Sequence, residues 1–356
     1  MRSRRGRVIV AARGAGRQDE RQAMAKTISE IAEDTGYSRT TITMVLSGRA
    51  SEYRISARTQ KIIQDYVAEH GYTINQTARN LKTRRSHTVG FVAPEIANPF
   101  FARFMAHLEA CCRAEGLVLI TTSSGEDPAL EARALQSLVE RGVDGLVLAP
   151  CAPRAPAAAR KRGRRTPMVL VDRHYPGDSV EAITSDHREN ARLLTEAVMA
   201  SGAERMVFFC GHPDNPAIAE RIAGFREAAG DGETARVLTA DDDSAAAGET
   251  MMQALLAGGG ELPSALVCSS LLVLEGALQC LKQARSAVPP EMIIATFDYD
   301  GFLELLPNTV IVIRQNEAAL ARAAFGSITA QIGGTAAAEG TRTIVDAELV
   351  HLNAQA

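Results

Sequence analysis

From Val89 onward, short β-rich apolar runs alternate with stretches of helical periodicity, and this alternation narrows the possible folds more than any other feature. The runs are VGFVA, GLVLITT, GLVLA, PMVLV, RMVFFC, ARVLT, SALVC, EMIIATF and VIVI. Between them the spacing predicts helices over 99–115, 128–141, 187–201, 216–229, 244–257, 271–284 and 317–332. Strict alternation predicts an α/β fold, a doubly wound parallel sheet with helices on both faces. The runs are apolar on consecutive residues, as strands covered on both faces should be. Some 265 residues exceed one ordinary doubly wound domain, so two lobes are expected. Ligands in such folds lie beyond the C-terminal ends of strands. That rule points to Glu95–Phe101, Ser123–Asp127, Asp172–Tyr175, Gly211–Asn215, Ser269–Ser270, Asp298–Gly301 and Arg314–Gln315.

The segment before this body has a different pattern. In TISEIAEDTGYSRTTITMVLSG, residues 27–48, Ile28, Ile31 and Ala32 fall at i, i+3, i+4, as do Ile42, Val45 and Leu46. Each set makes an apolar stripe wide enough for two short helices to bury against each other. Thr27 with Glu30 fits a capping box, Gly36 supplies the positive φ of a sharp turn, and Ser38 can cap the second helix. Arg39, Thr40, Thr43 and Met44 lie on the face that the second stripe leaves free. Polar side chains near a helix N-terminus, presented by a turn, suit a DNA major groove. The alternative is an ordinary helical hairpin within an all-α domain.

A polar loop follows, in which Tyr53 and Arg54 could touch phosphate or simply line the surface. Ser56 opens a third helix with Ile62, Ile63, Tyr66 and Val67 on one side, ending at Gly71. In YTINQTARNLKTRRSHT, Asn75 can cap a short helix that carries Leu81 between Arg79 and Lys82. With no core of its own, this segment is coil until something orders it. An exposed Leu flanked by cations suits a minor-groove wedge, and a plain solvated linker fits the spacing equally well. Residues 1–23 hold seven Arg and no lasting periodicity. They read either as a disordered basic extension or as sequence upstream of a translation start at Met24.

Net charge is −3, but residues 1–88 carry 17 Lys and Arg against 8 Asp and Glu, while the remainder carries 22 against 34. A basic head on an acidic body implies that the head meets a polyanion. The six Cys show no CxxC spacing and the seven His no cluster, so reduced thiols and no metal site are expected. There is no GxGxxG after a strand, no GxxxxGK[ST] and no GxSxG, so neither a nucleotide cofactor nor a catalytic residue is expected. No apolar run reaches membrane-spanning length, and with reduced thiols the expected location is the cytosol. The basic run RKRGRR, 160–165, reads as a solvated helix end and loop, or less simply as a phosphate or partner contact.

The landmarks now in hand resemble those of the LacI/GalR repressors, from Met24 to the end. TISEIAEDTGYSRTTITMVLSG is similar to their helix-turn-helix and NQTARNLK to their hinge helix. VGFVAPEIANPFF, LVDR, the RIAGF run from Arg221 and TFDYD are similar to landmarks of their sugar-binding core. SRTT, SEYRIS and IIATF followed by an acidic turn resemble the branch of the fructose repressor (catabolite repressor/activator) and the sucrose repressors.

The resemblance implies a helix-turn-helix DNA-binding domain at 24–73, a hinge helix and linker at 74–88, and an effector-binding core at 89–356. That core resembles periplasmic sugar-binding proteins, with an N-lobe of about 89–185 and 316–343 and a C-lobe of about 186–315 and 344–356. The implied DNA-binding residues are Thr27, Ser38, Arg39, Thr40, Thr43, Met44, Tyr53, Arg54, Asn75, Arg79, Leu81 and Lys82. Arg39 and Thr40 fall where the family reads bases, Met44 falls where many members carry Arg, and Leu81 matches the intercalating hinge Leu. Effector-binding candidates are Phe100, Asp172, Arg221, Ser270, Asp298 and Gln315. Ser269–Ser270 stands where many members carry Asn-Asp, and Tyr299 where they carry the second Asp of a paired acidic turn.

The implied partners are a near-palindromic double-stranded operator and a small sugar or sugar phosphate, of which the branch suggests fructose 1-phosphate. The implied assembly is a homodimer; the C-terminus HLNAQA lacks a heptad tail to drive a tetramer. The expected function is a transcriptional regulator, most simply a repressor, of carbohydrate metabolism. The rival from another class is a sugar-phosphate-handling α/β enzyme with an appended helical domain, using Arg221 as anion clamp and Asp298 as base. A sugar-binding module whose helical head docks protein is the third reading.

Overall fold

The computed structural model describes residues 26–72, 85–151, 160–161, 164–174, 177, 179–230, 232–259, 261–335 and 340–353. The extension 1–23, Met24 and the expected hinge residues Asn75, Arg79, Leu81 and Lys82 lie outside the described residues. The chain divides into two compact units, Met1–Arg84 and Arg85–Ala356.

In the first unit, α1 spans Ile28–Thr35, α2 Arg39–Leu46 and α3 Ala57–His70. The capping box forms: the Thr27 N–H donates to Glu30 Oε2 at 2.7 Å, and Thr27 Oγ1 accepts from the Glu30 N–H at 3.4 Å. Gly36 ends α1 at φ +72°, and Ser38 and Ser56 cap the next two helices. Ile31, Ile42, Val45, Ala50 and Ile63 are the buried centre, with Ile28, Ala32, Leu46, Tyr66 and Val67 packed around them. Ile62 corrects the expected stripe, since it is 39% exposed. With Ile63 at the centre, Tyr66 and Val67 follow at i+3 and i+4, and Ile62 is rotated about 100° off that face. Tyr37, Ala50 and Ile55, all from connecting segments, supply the missing apolar cover.

The second unit holds two six-stranded sheets. The first runs β13-β7-β6-β3-β1-β2, all parallel. Its strands are β1 Thr88–Ala93, β2 Val118–Ser123, β3 Gly145–Leu148, β6 Met168–Val171, β7 Ala182–Thr184 and β13 Arg342–Ile344. The second runs β14-β12-β11-β10-β8-β9, with β8 Met206–Gly211, β9 Ala235–Ala240, β10 Ala265–Cys268, β11 Ile293–Phe297, β12 Val310–Arg314 and β14 Glu348–Leu352. Here β14 lies antiparallel to β12 at the edge of an otherwise parallel sheet.

Helices cover both faces of each sheet. On the first, α4 (Pro99–Ala114) and α10 (Glu317–Ile332) bury Phe104, Leu108, Leu320 and Ile328 against Phe91 and Val147. On the other face, α5 (Pro128–Arg141) packs Leu135 and Leu138 on Leu146 and Leu148. On the second sheet, α6 (His187–Ala200) and α7 (Pro216–Ala229) pack on Phe208 and Phe297. The opposite face takes α8 (Ala245–Ala257) and α9 (Leu271–Arg285). These last two helices approach so closely that a Cβ at Gly276 would sit 1.7 Å from the Ala245 carbonyl oxygen. Each fully buried Phe or Leu contributes about 1.5–3 kcal/mol of transfer free energy, so the sheets rather than the loops hold the strand ends in place.

The run RKRGRR is not a helix end. Its described residues form two short antiparallel strands, β4 Arg160–Lys161 and β5 Arg164–Arg165. The run has no apolar positions at helical spacing, so a helix there would have no face to bury.

Candidate functional site

The C-terminal ends of strands from both sheets converge on one cleft. Asn98, Phe100 and Phe101 follow β1, Asp172 and Arg173 follow β6, and Asn215, Ala217, Ile218 and Arg221 follow β8. Asp243 follows β9, Ser270 follows β10, Asp298 follows β11 and Gln315 follows β12. The cleft has an empty volume of about 330 Å³, continuous with solvent. All six side chains nominated as effector-binding, Phe100, Asp172, Arg221, Ser270, Asp298 and Gln315, line it.

Asp172 and Asp298 occupy matching places in the two sheets, each one residue past a strand buried along its whole length. Both adopt positive φ, +64° and +69°. That conformation is uncommon outside glycine, and Asp is among the residues that tolerate it. The turn each makes leaves its carboxylate at the strand end instead of in the helix that follows.

Arg221 is 5% exposed and lies over Phe297, its guanidinium carbon 4.1 Å from the ring centroid. Its Nη1 donates to the Ser269 carbonyl at 2.5 Å, while its Nε has no partner among the described residues. Buried His187 links Arg221 to the first lobe. Its Nε2 donates to the Asp172 carbonyl at 2.8 Å, so Nδ1 is free to accept from Arg221 Nη2 at 3.4 Å. Burial and the neighbouring Arg221 charge push this ring down to about 4, which keeps it neutral.

Burial pushes the Asp298 carboxyl up to about 6, against the pull of Arg221 and of the Gln315 amide. The Gln315 Nε2–H donates to Asp298 Oδ1 at 2.7 Å. Asp243 is also raised by desolvation, although the Ser270 and Ser269 hydroxyls both donate to its Oδ1, at 3.0 and 3.1 Å. Arg173 meets Glu126 through two parallel bonds of 2.9 and 2.7 Å, and Glu126 outweighs the burial that works against its charge. Asp172 Oδ1 and Gln315 Oε1, buried acceptors without a hydrogen-bond partner among the described residues, belong to the same lining. Such atoms are costly unless a ligand or water meets them. The arrangement is a set of fixed acceptors and one stacked guanidinium around a small polar guest, as a hydroxyl-rich molecule requires.

Asn98, Phe101, Arg173 and Asn215 lie inside the strand-end stretches, but nothing in the sequence marks them out individually. Asp243 lies outside all of them. The same strand-end rule, applied to ARVLT, reaches the run Asp241–Asp243 and would have found it.

In the head, Arg39 and Thr40 are exposed in the first turn of α2, whereas Thr43 and Met44 are half-buried. Thr27 and Ser38 are engaged as caps. Tyr53 and Arg54 are exposed in the turn before α3, Arg54 at φ +50°. Arg49 lies over the Tyr53 ring and pairs with Glu52 at 2.9 Å, so much of its charge is balanced at home. Among the described residues, no group of His, Cys, Asp and Glu could hold a metal, and no helix is long and apolar enough to cross a membrane.

A three-helix head followed by two such sheets around a polar cleft defines a ligand-sensing regulator with a periplasmic-binding-protein-like core. Residues 89–336 match the periplasmic binding protein domain family. The sucrose operon repressor of Klebsiella pneumoniae is 30% identical over 313 residues, covering 87% of this chain and 93% of that protein. The core is similar to the Cra transcriptional dual regulator of Pseudomonas putida, solved in complex with fructose 1-phosphate. That match has a TM-score of 0.68 and 27% identity, and covers 74% of this chain and 98% of that one. The Lac repressor dimer bound to operator shares the fold over 92% of this chain and 98% of its own, with a TM-score of 0.75 and 19% identity. The chain belongs to the LacI/GalR family of transcriptional regulators.

Proposed function

We propose that this protein is a dimeric, sequence-specific DNA-binding repressor of carbohydrate metabolism, without enzymatic activity, whose operator affinity is set by a sugar or sugar phosphate bound in the cleft. The observation that carries the reading is the cleft itself: Arg221, Asp298 and Gln315, bonded or stacked into fixed positions, converge with Asp172 and Ser270 from two lobes on one small polar space. Fructose 1-phosphate is the first compound to test, because the similar Pseudomonas putida protein was solved with it.

On the DNA side, Arg39 and Thr40 are the base-reading residues, with Ser38, Thr27, Thr43, Met44, Tyr53 and Arg54 around them. Support comes from the exposure of Arg39 and Thr40 in the first turn of α2. An Arg paired with a guanine edge supplies about 1–3 kcal/mol of discrimination. Asn75, Arg79, Leu81 and Lys82 form the hinge, which orders when two copies meet on DNA and places Leu81 in the minor groove.

Coupling between cleft and hinge runs through α10. Gln315, in the cleft, sits two residues before its first residue, and its last, Ile332, accepts from Arg85 Nη2 at 3.0 Å. Sixteen residues of helix span about 24 Å. The adjoining Ser86 and His87 N–H groups are both held by Asp144, at 2.8 Å each. Arg103 bonds Glu317 in the first turn of α10 at 2.8 Å and reaches Asp300 of the other lobe at 3.4 Å. An effector that changes the lobe angle therefore pulls on the helix whose far end holds the start of the core.

Gel retardation against genomic fragments tests the reading. Specific, salt-sensitive retardation that an added sugar relieves is the expected result. An enzyme or a protein-docking module would give no specific retardation.

A further inference from the structure

We propose that Asp243 makes the cleft select an uncharged, polyhydroxylated effector over its phosphorylated form. The inference rests on the reading of the cleft as the effector site.

Asp243 is a built part of that cleft. A Cβ at residue 211 would sit 2.3 Å from the Asp242 carbonyl oxygen and 2.5 Å from Asp243 Cα, so Gly211 is what lets the chain at 242–243 close over the end of β8. Two hydroxyls from the far side, Ser269 and Ser270, then fix the carboxylate by both donating to Oδ1. Among the described residues no hydrogen bond reaches its second oxygen, which can accept from a guest.

The charges that line the cleft do not suit a dianion. Two guanidiniums face three carboxylates there: Arg173 and Arg221 against Asp172, Asp243 and Asp298. Arg173 is already neutralised by its two-point pairing with Glu126. Arg221 is the remaining cation, and it spends Nη1 on the Ser269 carbonyl. No lysine lines the cleft among the described residues.

Two of the helix starts at the cleft offer an anion fewer donors than usual. The first residues of α4 and α7 are prolines, which have no N–H, and the next N–H of each goes to its own Asn cap, Asn98 or Asn215, at 3.0 and 2.9 Å. At the start of α9 the Ser270 cap donates its hydroxyl to Asp243, which sets a carboxylate beside that helix end. A phosphate would meet three carboxylates and one guanidinium whose two terminal nitrogens are already engaged, by the Ser269 carbonyl and His187. Sugar hydroxyls, which donate, would meet Asp243 and Asp298 as waiting acceptors.

The test is calorimetric titration of the full-length protein with fructose, glucose and sucrose, and with fructose 1-phosphate, glucose 6-phosphate and inorganic phosphate. The expected result is that at least one uncharged sugar binds tenfold or more tighter than any phosphorylated compound. Asp243→Asn should narrow that ratio at least tenfold, and Asp243→Glu, which keeps the charge, should preserve the preference. A phosphorylated sugar that binds wild type more tightly than the uncharged set overturns the proposal even if Asp243→Asn does not fold. An unchanged ratio in a folded Asp243→Asn overturns the role of this residue. If nothing in either set binds while specific DNA retardation persists, the sensing reading fails and this inference fails with it.

Discussion

Gln315 donates its side-chain amide to Asp298 across 2.7 Å, and that bond joins the segment leading out of the second sheet into α10 to a buried carboxylate of the cleft. Gln315→Ala leaves Asp298 Oδ1 buried without its donor, which favours the neutral acid. Effector affinity should fall about tenfold, read by titration calorimetry, while operator affinity without effector stays at the wild-type value. Arg221→Ala should abolish effector binding with the same sparing of DNA binding.

Effector affinity should depend on pH through Asp298. Its carboxyl is raised to about 6, so it is protonated below that pH and ionised above it. A sugar hydroxyl donates to the ionised form, so affinity is full above about pH 6 and is lost as pH falls through it. Thermal stability is a poorer readout. A raised carboxyl favours the fold at low pH and loses that contribution as pH rises to about 6. His187, lowered to about 4, contributes stability above the ordinary imidazole value that is lost as pH falls toward 4. The two effects oppose each other over overlapping windows.

Asp144 should matter for coupling and not for affinity. It holds the Ser86 and His87 N–H groups and lies outside the residues that line the cleft. Asp144→Ala should leave effector Kd within twofold of wild type and reduce the effector's effect on operator binding at least threefold. Fluorescence anisotropy of labelled operator, with and without saturating effector, measures it.

Ile42 is fully buried at the centre of the small head core. Ile42→Ala should cost the head about 2–5 kcal/mol and abolish DNA binding, because a three-helix core has little else to spare. Hydrogen exchange should show loss of protection over 28–70 and none over the strands of the core. Arg39→Ala should instead leave exchange untouched and weaken specific retardation more than non-specific binding.

What could be seen in the sequence follows from how each element is held. Strands such as β8 and β11 are buried along their whole length and announce themselves as apolar runs. β7 is three residues long, and every residue of β13 is exposed at a sheet edge, so neither leaves a run to find. The cleft residues at strand ends could be located by rule, but not their partnerships. Arg173 and Glu126 are 47 residues apart, and only the fold makes them a pair. Asp243 looks like part of a solvated acidic loop until Gly211 and two serines, from two other strand ends, are brought against it. Ile62 escapes the sequence for the opposite reason: α3 offers two overlapping apolar stripes, and packing chooses the one through Ile63.

Linkage between the two binding events is the most direct test of a sugar-controlled regulator. Effector affinity should be measured on the free protein and on the protein saturated with its operator, alongside operator affinity with and without effector. The account predicts that each ligand weakens the other by the same factor. Equal effector affinity in the presence and absence of operator would contradict it.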